Sequence, residues 1–491
     1  MTTPAEQSVI KSAIIGARWL AVSQAGRQAL QFATTIILAR LLAPSDFGLL
    51  GMALVLINFA MLFRDMGISA AVVQRKEISD QLLSSLFWVN MLVGLTAMLL
   101  LWIIAPLAAE FYSEPRMVSI VRVLSVNFVL SGSTVLHQSL LERELAFNRL
   151  TRVEVGASVV GSLVAIGTAT LHAGVWSLIY QSLGMMIITT ISLWVMSSWR
   201  PRILLEWSEV KSVSNFSLNL VGFNILNYCA RNLDYLLVGK FLGATVLGYY
   251  TYAYRIMLYP LQNISAVVGR VMFPVYAKLQ DDNALLRQNY LKAVSTIALI
   301  TFPLMLGLMG VSRPLVLGLF GSEWAPVQPL ILILAPVGLI QSIGTTVGTI
   351  FQAKGRTDWM MRWGIVTTVL TAIAIVVGLR WGVIGVALAY ASISAVLAYP
   401  GFAIPFRLID LRVQKLVGAL WRPFVCSILM LGVILGLAVI LPDIFTESWR
   451  IIILVPSGIA AYLAASWMLN GKQMRRTMAL VKPHWSVSQE A

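Results

Sequence analysis

Stretches of roughly 20 predominantly apolar residues, the length that carries a helix across a bilayer, follow one another along almost the whole chain. They fall near 15–39, 47–66, 83–105, 117–139, 153–171 and 174–197, then near 214–238, 247–274, 290–312, 326–352, 360–379 and 382–405, and finally near 416–440 and 449–469. The chain is 58% hydrophobic and 12% charged, whereas soluble domains run at about 45–50% and about 25%. That much apolar surface cannot be hidden from water. In lipid each backbone amide must be satisfied within its own segment, so the spans must be helices. The expected fold is all-α and polytopic, with about 14 transmembrane helices. The first, seventh and eighth spans carry enough polar residues to stand near the limit of that reading.

Charge supplies orientation. If the N-terminus and every even-numbered loop lie on one side, that side collects well over half of the 36 lysines and arginines. Among them are Arg75, Lys76, Arg143, Arg149, Arg200, Arg202, Lys278, Arg287, Lys354, Arg356, Arg407, Arg412, Arg475 and Arg476. The other side keeps Arg40, Arg116, Lys240, Arg313, Arg380 and Arg450. The positive-inside rule makes the basic side cytoplasmic, with both termini there. The net charge of +15 is thereby spent on topology and calls for no nucleic acid.

Several function classes are disfavoured. Cys229 and Cys426 lie within spans, and His137, His172 and His484 are scattered, so neither a disulfide framework nor a metal site is expected. The Gly-Lys pairs at Gly239 and Gly471 lack the following Ser or Thr of a phosphate loop, which argues against an ATP-driven pump. The loops between spans are short for a membrane polymerase or glycosyltransferase. No signal peptide is visible, and Met1 is expected to begin the mature protein.

The chain repeats itself. ILARLLAPSDFGLL (37–50) aligns with LVGKFLGATVLGYY (237–250), placing Arg40 on Lys240, Leu42 on Leu242 and Gly48 on Gly248. Further on, HAGVWSL (172–178) aligns with RWGVIGV (380–386). Two matches in the same order imply a duplicated six-span half. The expected organisation is a lobe over 1–205, a second lobe over 206–410, two appended helices over 411–470 and a cytoplasmic tail over 471–491. Parallel repeats of this type are a transporter design with the substrate site between the halves.

Seven basic residues lie in or near spans: Arg18, Arg27, Arg64, Arg122, Arg231, Arg255 and Arg270. A charge at the bilayer centre costs about 2.5–3.5 kcal/mol on insertion scales, so it must face protein or water. In the first span Gln24, Arg27, Gln31 and Thr34 share a helical stripe; in the seventh the same positions hold Asn224, Asn227, Arg231 and Asp234. Arg255, Tyr259, Gln262 and Arg270 continue the theme in the eighth. Together these faces would line an electropositive cleft. The candidate substrate-binding residues are therefore Arg27, Arg231, Arg255, Arg270, Arg122, Gln24, Gln31, Asn224, Asn227 and Gln262, with Asp234 and Asp65 as candidates for ion coupling. Each has a plainer reading. Arg231 and Asp234 are three apart and can neutralise one another; Arg270 and Arg122 can snorkel to a membrane edge. Arg18 and Arg64 read as interfacial anchors, and Glu154, beside Arg152, as an interfacial acid. The aromatic run GYYTYAY (248–254) reads as part of the interfacial belt rather than a sugar platform.

QRKEIS (74–79), LERELAFNR (141–149) and VMFPVYAKLQDDNALLRQNYLK (271–292) resemble cytoplasmic loops of Wzx-type polysaccharide flippases, in the colanic-acid-type branch of the multidrug/oligosaccharidyl-lipid/polysaccharide superfamily. The resemblance runs from about residue 14 through the twelfth span. It implies a flippase of the bacterial inner membrane that carries undecaprenyl-pyrophosphate-linked oligosaccharide to the periplasmic leaflet. It further implies alternating access coupled to a proton or sodium gradient, with no bound cofactor, and polysaccharide polymerase and chain-length or export machinery as partners. A diphosphate head needs Arg, and sugar hydroxyls need amides, which the stripes supply. The alternatives within the superfamily are a lipid II-type precursor flippase and a cation-coupled drug extruder. The latter should have an acidic pocket, and these spans are dominated by arginine.

Overall fold

The computed structural model describes residues 26–63, 72, 78–204, 206, 217–442 and 444–481. Among them there is no strand. The first helix, α1, is seen over 26–41. Then come α2 (Pro44–Met61), α3 (Asp80–Tyr112), α4 (Met117–Gly132), α5 (Val135–Arg143), α6 (Phe147–Thr170) and α7 (Val175–Met196). After these follow α8 (Ser217–Pro260), α9 (Ala266–Lys278), α10 (Asn283–Gly310), α11 (Val327–Gly344) and α12 (Val347–Ala353). The chain closes with α13 (Thr357–Gly378), α14 (Gly382–Arg407), α15 (Val413–Ile440) and α16 (Glu447–Val481).

By length and hydropathy nine of these helical runs among the described residues can cross a membrane, or ten when α4 and α5, bent by 42°, count as one span. The expected fourteen is not reached on that measure, for identifiable reasons. The 51-residue run Thr357–Arg407 is a hairpin. α13 and α14 pack against each other, a short 3-10 turn at Leu379–Trp381 separates them, and Gly378 lies against the Gly385 carbonyl. The first span is described only from residue 26. α8 and α9 are diluted by the polar residues of the seventh and eighth spans. α8 breaks at Gly243, where φ is 84°, and after Pro260 the ladder slips into a π-turn over Leu261–Ser265. Proline has no N–H for the carbonyl one turn back, which is a sufficient cause.

The chain separates into two compact units, Met1–Gly248 and Tyr249–Ala491. In the first, α3 packs on α4, α6 on α7, and α4 on α7, with α2 against α4 and α7. In the second, α10 packs on α11, α13 on α14, and α11 on α14. Counted along the repeat these are the same three pairings. The appended helices belong to the second unit, α15 packing on α10 and α16 on α15. Tyr462 Oη donates to the Leu299 carbonyl at 2.7 Å to hold α16 in place.

The duplication extends to single hydrogen bonds. α4 ends at Gly132-Ser133-Thr134-Val135 and α11 at Gly344-Thr345-Thr346-Val347. In each, the carbonyls of the last turn also accept the hydroxyls three residues on. Ser133 and Thr134 donate to Leu130 and Ser131 at 2.6 and 2.9 Å; Thr345 and Thr346 donate to Ser342 and Ile343 at 3.4 and 2.6 Å. Gly174 and Gly382, aligned by the second sequence match, both have positive φ (57° and 67°) immediately before α7 and within the first turn of α14. A side chain would be strained in that region.

Two of the three loop motifs that carry the resemblance hold helix caps at matching places. Ser79, the last residue of QRKEIS, caps α3 by accepting from the Leu82 N–H at 3.1 Å. Asp282 caps α10 by accepting from the N–H groups of Ala284 and Leu285, both at 2.9 Å. Such caps satisfy amides the helix cannot reach itself. Beyond each cap, the segment leaving the sixth helix of that half folds back onto the third. Arg202 donates its N–H to Ser84 Oγ at 3.0 Å, and Trp88 Nε1 donates to the Arg202 carbonyl at 2.8 Å. In the second half Asn283 Nδ2 donates to Asp410 Oδ2 at 2.8 Å, and Arg287 Nη1 to the Ile409 carbonyl at 3.1 Å.

Candidate functional site

The stripe on α1 is the part of the expected site that the structure describes best. Thr34 is buried and donates Oγ1 to the Leu30 carbonyl at 2.8 Å, so it serves its own helix. Gln31, one turn earlier, is exposed. Arg27 donates from Nη1 to Glu154 Oε2 at 3.0 Å, across 127 residues of sequence. Glu154 turns from α6 towards α1, a pairing that its neighbour Arg152 gave no hint of. Which face of the fifth helix meets the first is a tertiary fact. The scarcity of acids inside the spans was the one sequence signal that could have singled Glu154 out.

The pair is only partly covered by the protein: the Arg27 side chain is 32% exposed and the Glu154 side chain 42%. An ion pair so exposed is a weak tie, contributing about 0–1 kcal/mol after solvent screening. It does, however, offset the cost of carrying a guanidinium on a membrane helix. A guanidinium also exchanges readily between carboxylate and phosphate, since both offer oxygens that match its planar donors.

The other expected residues are placed as follows. Gln24 and Asp65, with Arg18 and Arg64, lie outside the described residues. Asn224, Asn227 and Arg231 fall on α8 and Arg270 on α9, and their side chains lie outside what the structure describes. Asp234 is 5% exposed, the most enclosed acid among the described residues, and its Oδ1 accepts the Tyr235 N–H at 2.9 Å. Arg255 and Gln262 are exposed. Arg122 is exposed on α4 with its guanidinium 6.0 Å from the Trp102 ring centroid, while Trp102 Nε1 donates to the Arg122 carbonyl at 3.1 Å. Among the described side chains, then, the structure brings together Arg27 and the unforeseen Glu154. Lys240, matched to Arg40 in the repeat, stands 4.9 Å from the Phe111 ring centroid, a cation–π contact within the first unit.

The aromatic run also differs from its expected role. Tyr250 and Tyr252 are 0% and 3% exposed, so they pack inside the protein rather than in an interfacial belt. The Tyr252 ring lies tilted 4.3 Å from the Trp324 ring and meets Phe320 edge-on at 5.6 Å. Tyr254 Oη lies 3.1 Å from Tyr390 Oη, which accepts from Gln341 Nε2 at 2.6 Å. This neutral polar network ties the start of the eighth span to α11 and α14 in the second unit, and nothing in the sequence spacing announced it. No group of three or more His, Cys, Asp or Glu among the described residues could hold a metal ion.

Comparison with known proteins follows the same outline. Residues 37–329 match a family described as polysaccharide biosynthesis protein. The chain is 30% identical over 451 residues to the lipopolysaccharide biosynthesis protein WzxC of Escherichia coli K12, covering 88% of this chain and 89% of that protein. It is 26% identical over 413 residues to the succinoglycan biosynthesis transport protein ExoT of Rhizobium meliloti, covering 84% of each. In fold it is similar to the lipid II flippase MurJ in an inward closed conformation, with a TM-score of 0.71 and 17% identity over 92% of this chain and 99% of that one.

Proposed function

The chain belongs to the polysaccharide biosynthesis protein family, and from that premise we propose that it flips undecaprenyl-pyrophosphate-linked oligosaccharide repeat units across the bacterial inner membrane for exopolysaccharide, capsule or O-antigen assembly. It is a multi-pass membrane transporter rather than an enzyme. The observation that carries the reading is the duplicated helical scaffold, matched over most of its length by biosynthesis proteins of surface polysaccharides, one of them named a transport protein. An arginine on its first helix, set among apolar spans and only partly covered by the protein, suits a diphosphate head. A polyprenyl tail needs no site of its own where it can stay in lipid.

The finer parts of the proposal rest on residue chemistry. The diphosphate is bound by arginines of the polar stripes, Arg27 and Arg231 foremost, with Arg255, Arg270 and Arg122 as further cationic positions. Gln24, Gln31, Asn224, Asn227 and Gln262 offer amides to sugar hydroxyls. Transport proceeds by alternating access coupled to a proton or sodium gradient, for which Asp234 and Asp65 are the proposed carboxylates. The enclosure of Asp234 supports its candidacy, because a buried acid responds strongly to proton or cation binding. Polysaccharide polymerase and chain-length or export machinery are the proposed partners on the far side.

Deletion followed by chemical analysis of the lipid fraction tests the function. Undecaprenyl-linked repeat units are expected to accumulate on the cytoplasmic face, and normal surface polysaccharide in a strain with no second exporter would overturn the proposal. A lipid II-type role makes a different prediction: the deletion would stop peptidoglycan synthesis and leave lipid II, rather than polysaccharide repeat units, on the cytoplasmic face.

A further inference from the structure

We propose that Glu154 is the resting counter-ion of Arg27 and is displaced from it by the diphosphate of the substrate. This rests on the transport function proposed above and adds a residue to its site that the stripes do not contain. Arg27 on α1 and Glu154 on α6 meet at 3.0 Å, and both side chains are only partly covered by the protein. A ligand anion can therefore reach the guanidinium without the protein first unfolding around it.

The chemistry of exchange is balanced by charge. An arginine in a membrane-spanning region is costly whenever it stands uncompensated. With Glu154 opposite it in the empty state and phosphate oxygens in the loaded state, Arg27 meets an anion throughout the cycle. Both partners accept charge-assisted hydrogen bonds from the same donors, but a diphosphate brings more negative charge than one carboxylate. Exchange is then favourable when substrate is present and reversible when it leaves. A structural tie alone would be poorly served here, because a pair this exposed contributes little to stability.

The ionisable neighbours of Glu154 on and around α6 are mostly basic. On α6 itself the other ionisable residues are Arg149 and Arg152. The helices packed against α6 bring His137, Glu142 and Arg143 from α5 and Tyr180 from α7. Glu142 is engaged by Gln138 Nε2 at 2.8 Å. In the second half the pattern is not repeated: Asn227 occupies the place of Arg27, and the one acid of α13, Asp358, lies in its first turn, paired with Arg356 at 3.0 Å. The exchange belongs to the first half alone.

The test uses the full-length protein in nanodiscs with undecaprenyl pyrophosphate and, separately, inorganic pyrophosphate as probes. Glu154→Gln is expected to tighten binding of both by about two- to fivefold, the range an exposed ion pair is worth, whereas Arg27→Gln weakens it. The double variant should bind as weakly as Arg27→Gln. Exchanging the two charges (Arg27→Glu with Glu154→Arg) should restore thermal stability without restoring export. Binding by Glu154→Gln equal to or weaker than wild type, or full export by the exchanged pair, would overturn the inference and leave Glu154 a structural partner. Should Glu154→Gln fail to insert, Glu154→Asp carries the test, since a shortened carboxylate must also release the guanidinium and tighten binding. The deletion experiment is read independently: if it shows unflipped precursor while the variants bind unchanged, the counter-ion fails and the transport function stands.

Discussion

The two halves of the chain share a backbone and differ in where they put charge. Their helices choose the same partners, their fourth and tenth spans break at the same Gly-Ser/Thr-Thr-Val, and the same hydroxyls close the same carbonyls. At the third helix of each half, however, the charges are exchanged. In the first half an acid on the helix faces an arginine from the returning segment, Asp80 and Arg202 at 3.7 Å. In the second the helix supplies Arg287 and the returning segment Asp410, at 4.0 Å. The ion pair between a first and a fifth helix, Arg27 with Glu154, occurs in the first half and has no acid to match it in α13. Backbone geometry was fixed by the packing of helices and has been retained twice. Charge was free to diverge wherever solvent or substrate could reach it, which makes the divergent charges better pointers to function than the shared ones.

The largest expected effect falls where the shared backbone is tightest. A Cβ on Gly48 would collide with the Ala244 carbonyl, and one on Gly248 with the Pro44 carbonyl. Gly48→Leu and Gly248→Leu should each prevent recovery of a monodisperse protein on detergent gel filtration. Wild-type recovery of either would break the equivalence of the two positions.

Thr346 and Thr134 are sharpened by a difference between them. Both hydroxyls back-bond, but Thr346 also meets Tyr290 Oη at 3.1 Å in a fully buried contact. Thr346→Val should cost about 1–3 kcal/mol, because a buried phenol loses a partner, against about 1 kcal/mol for Thr134→Val. Thermal unfolding of the purified variants measures the gap. At the matched glycines, φ is positive with ψ of -134° and -159°, a region almost confined to glycine, so Gly174→Ala and Gly382→Ala should each cost about 1–3 kcal/mol. Gly174→Ala should be the worse of the two, since its Cβ would also press on Asp46 Oδ1 at 3.3 Å while that of Gly382 meets open space.

The smallest effect is electrostatic. In the outer loop, hydrogen bonding to Arg116 at 2.8 Å holds the Glu114 carboxyl below its ordinary value. A depressed carboxyl contributes stability that is present above its unfolded value, 4.5, and is lost as the pH falls through the folded one. With Arg116 58% exposed, Glu114→Gln should change unfolding at pH 7 by less than about 1 kcal/mol and remove what little acid sensitivity this loop has.

The sequence made the helices and their duplication legible because both are written locally. A span is a run of apolar residues, and a repeat is a run resembling an earlier run. Helix count was less secure at the places where function intrudes: the polar residues that make α1, α8 and α9 interesting also dilute their hydropathy. The partner of Arg27 was illegible because 127 residues separate it from Glu154 and nothing in α6 alone shows which way that acid turns. GYYTYAY misled in the same way. Tyrosines near a span end suit an interfacial belt by composition, and only packing against Trp324 and Phe320 shows Tyr252 to be interior. The branch-specific loops were recognisable before their work was: Ser79 and Asp282 turn out to be helix caps at equivalent places.

The crossing of Gly48 and Gly248 has an ancestry written into it. Gly48 rests on residue 244 and Gly248 on residue 44, all within the first compact unit. Residue i of one copy touches residue j of the other, and j touches i, which is the signature of an isologous contact between identical subunits. A chain of half this length could have made that contact with its own twin. Gene fusion would then have freed each copy to change its charges separately while the glycines at the crossing stayed bound to their shared geometry.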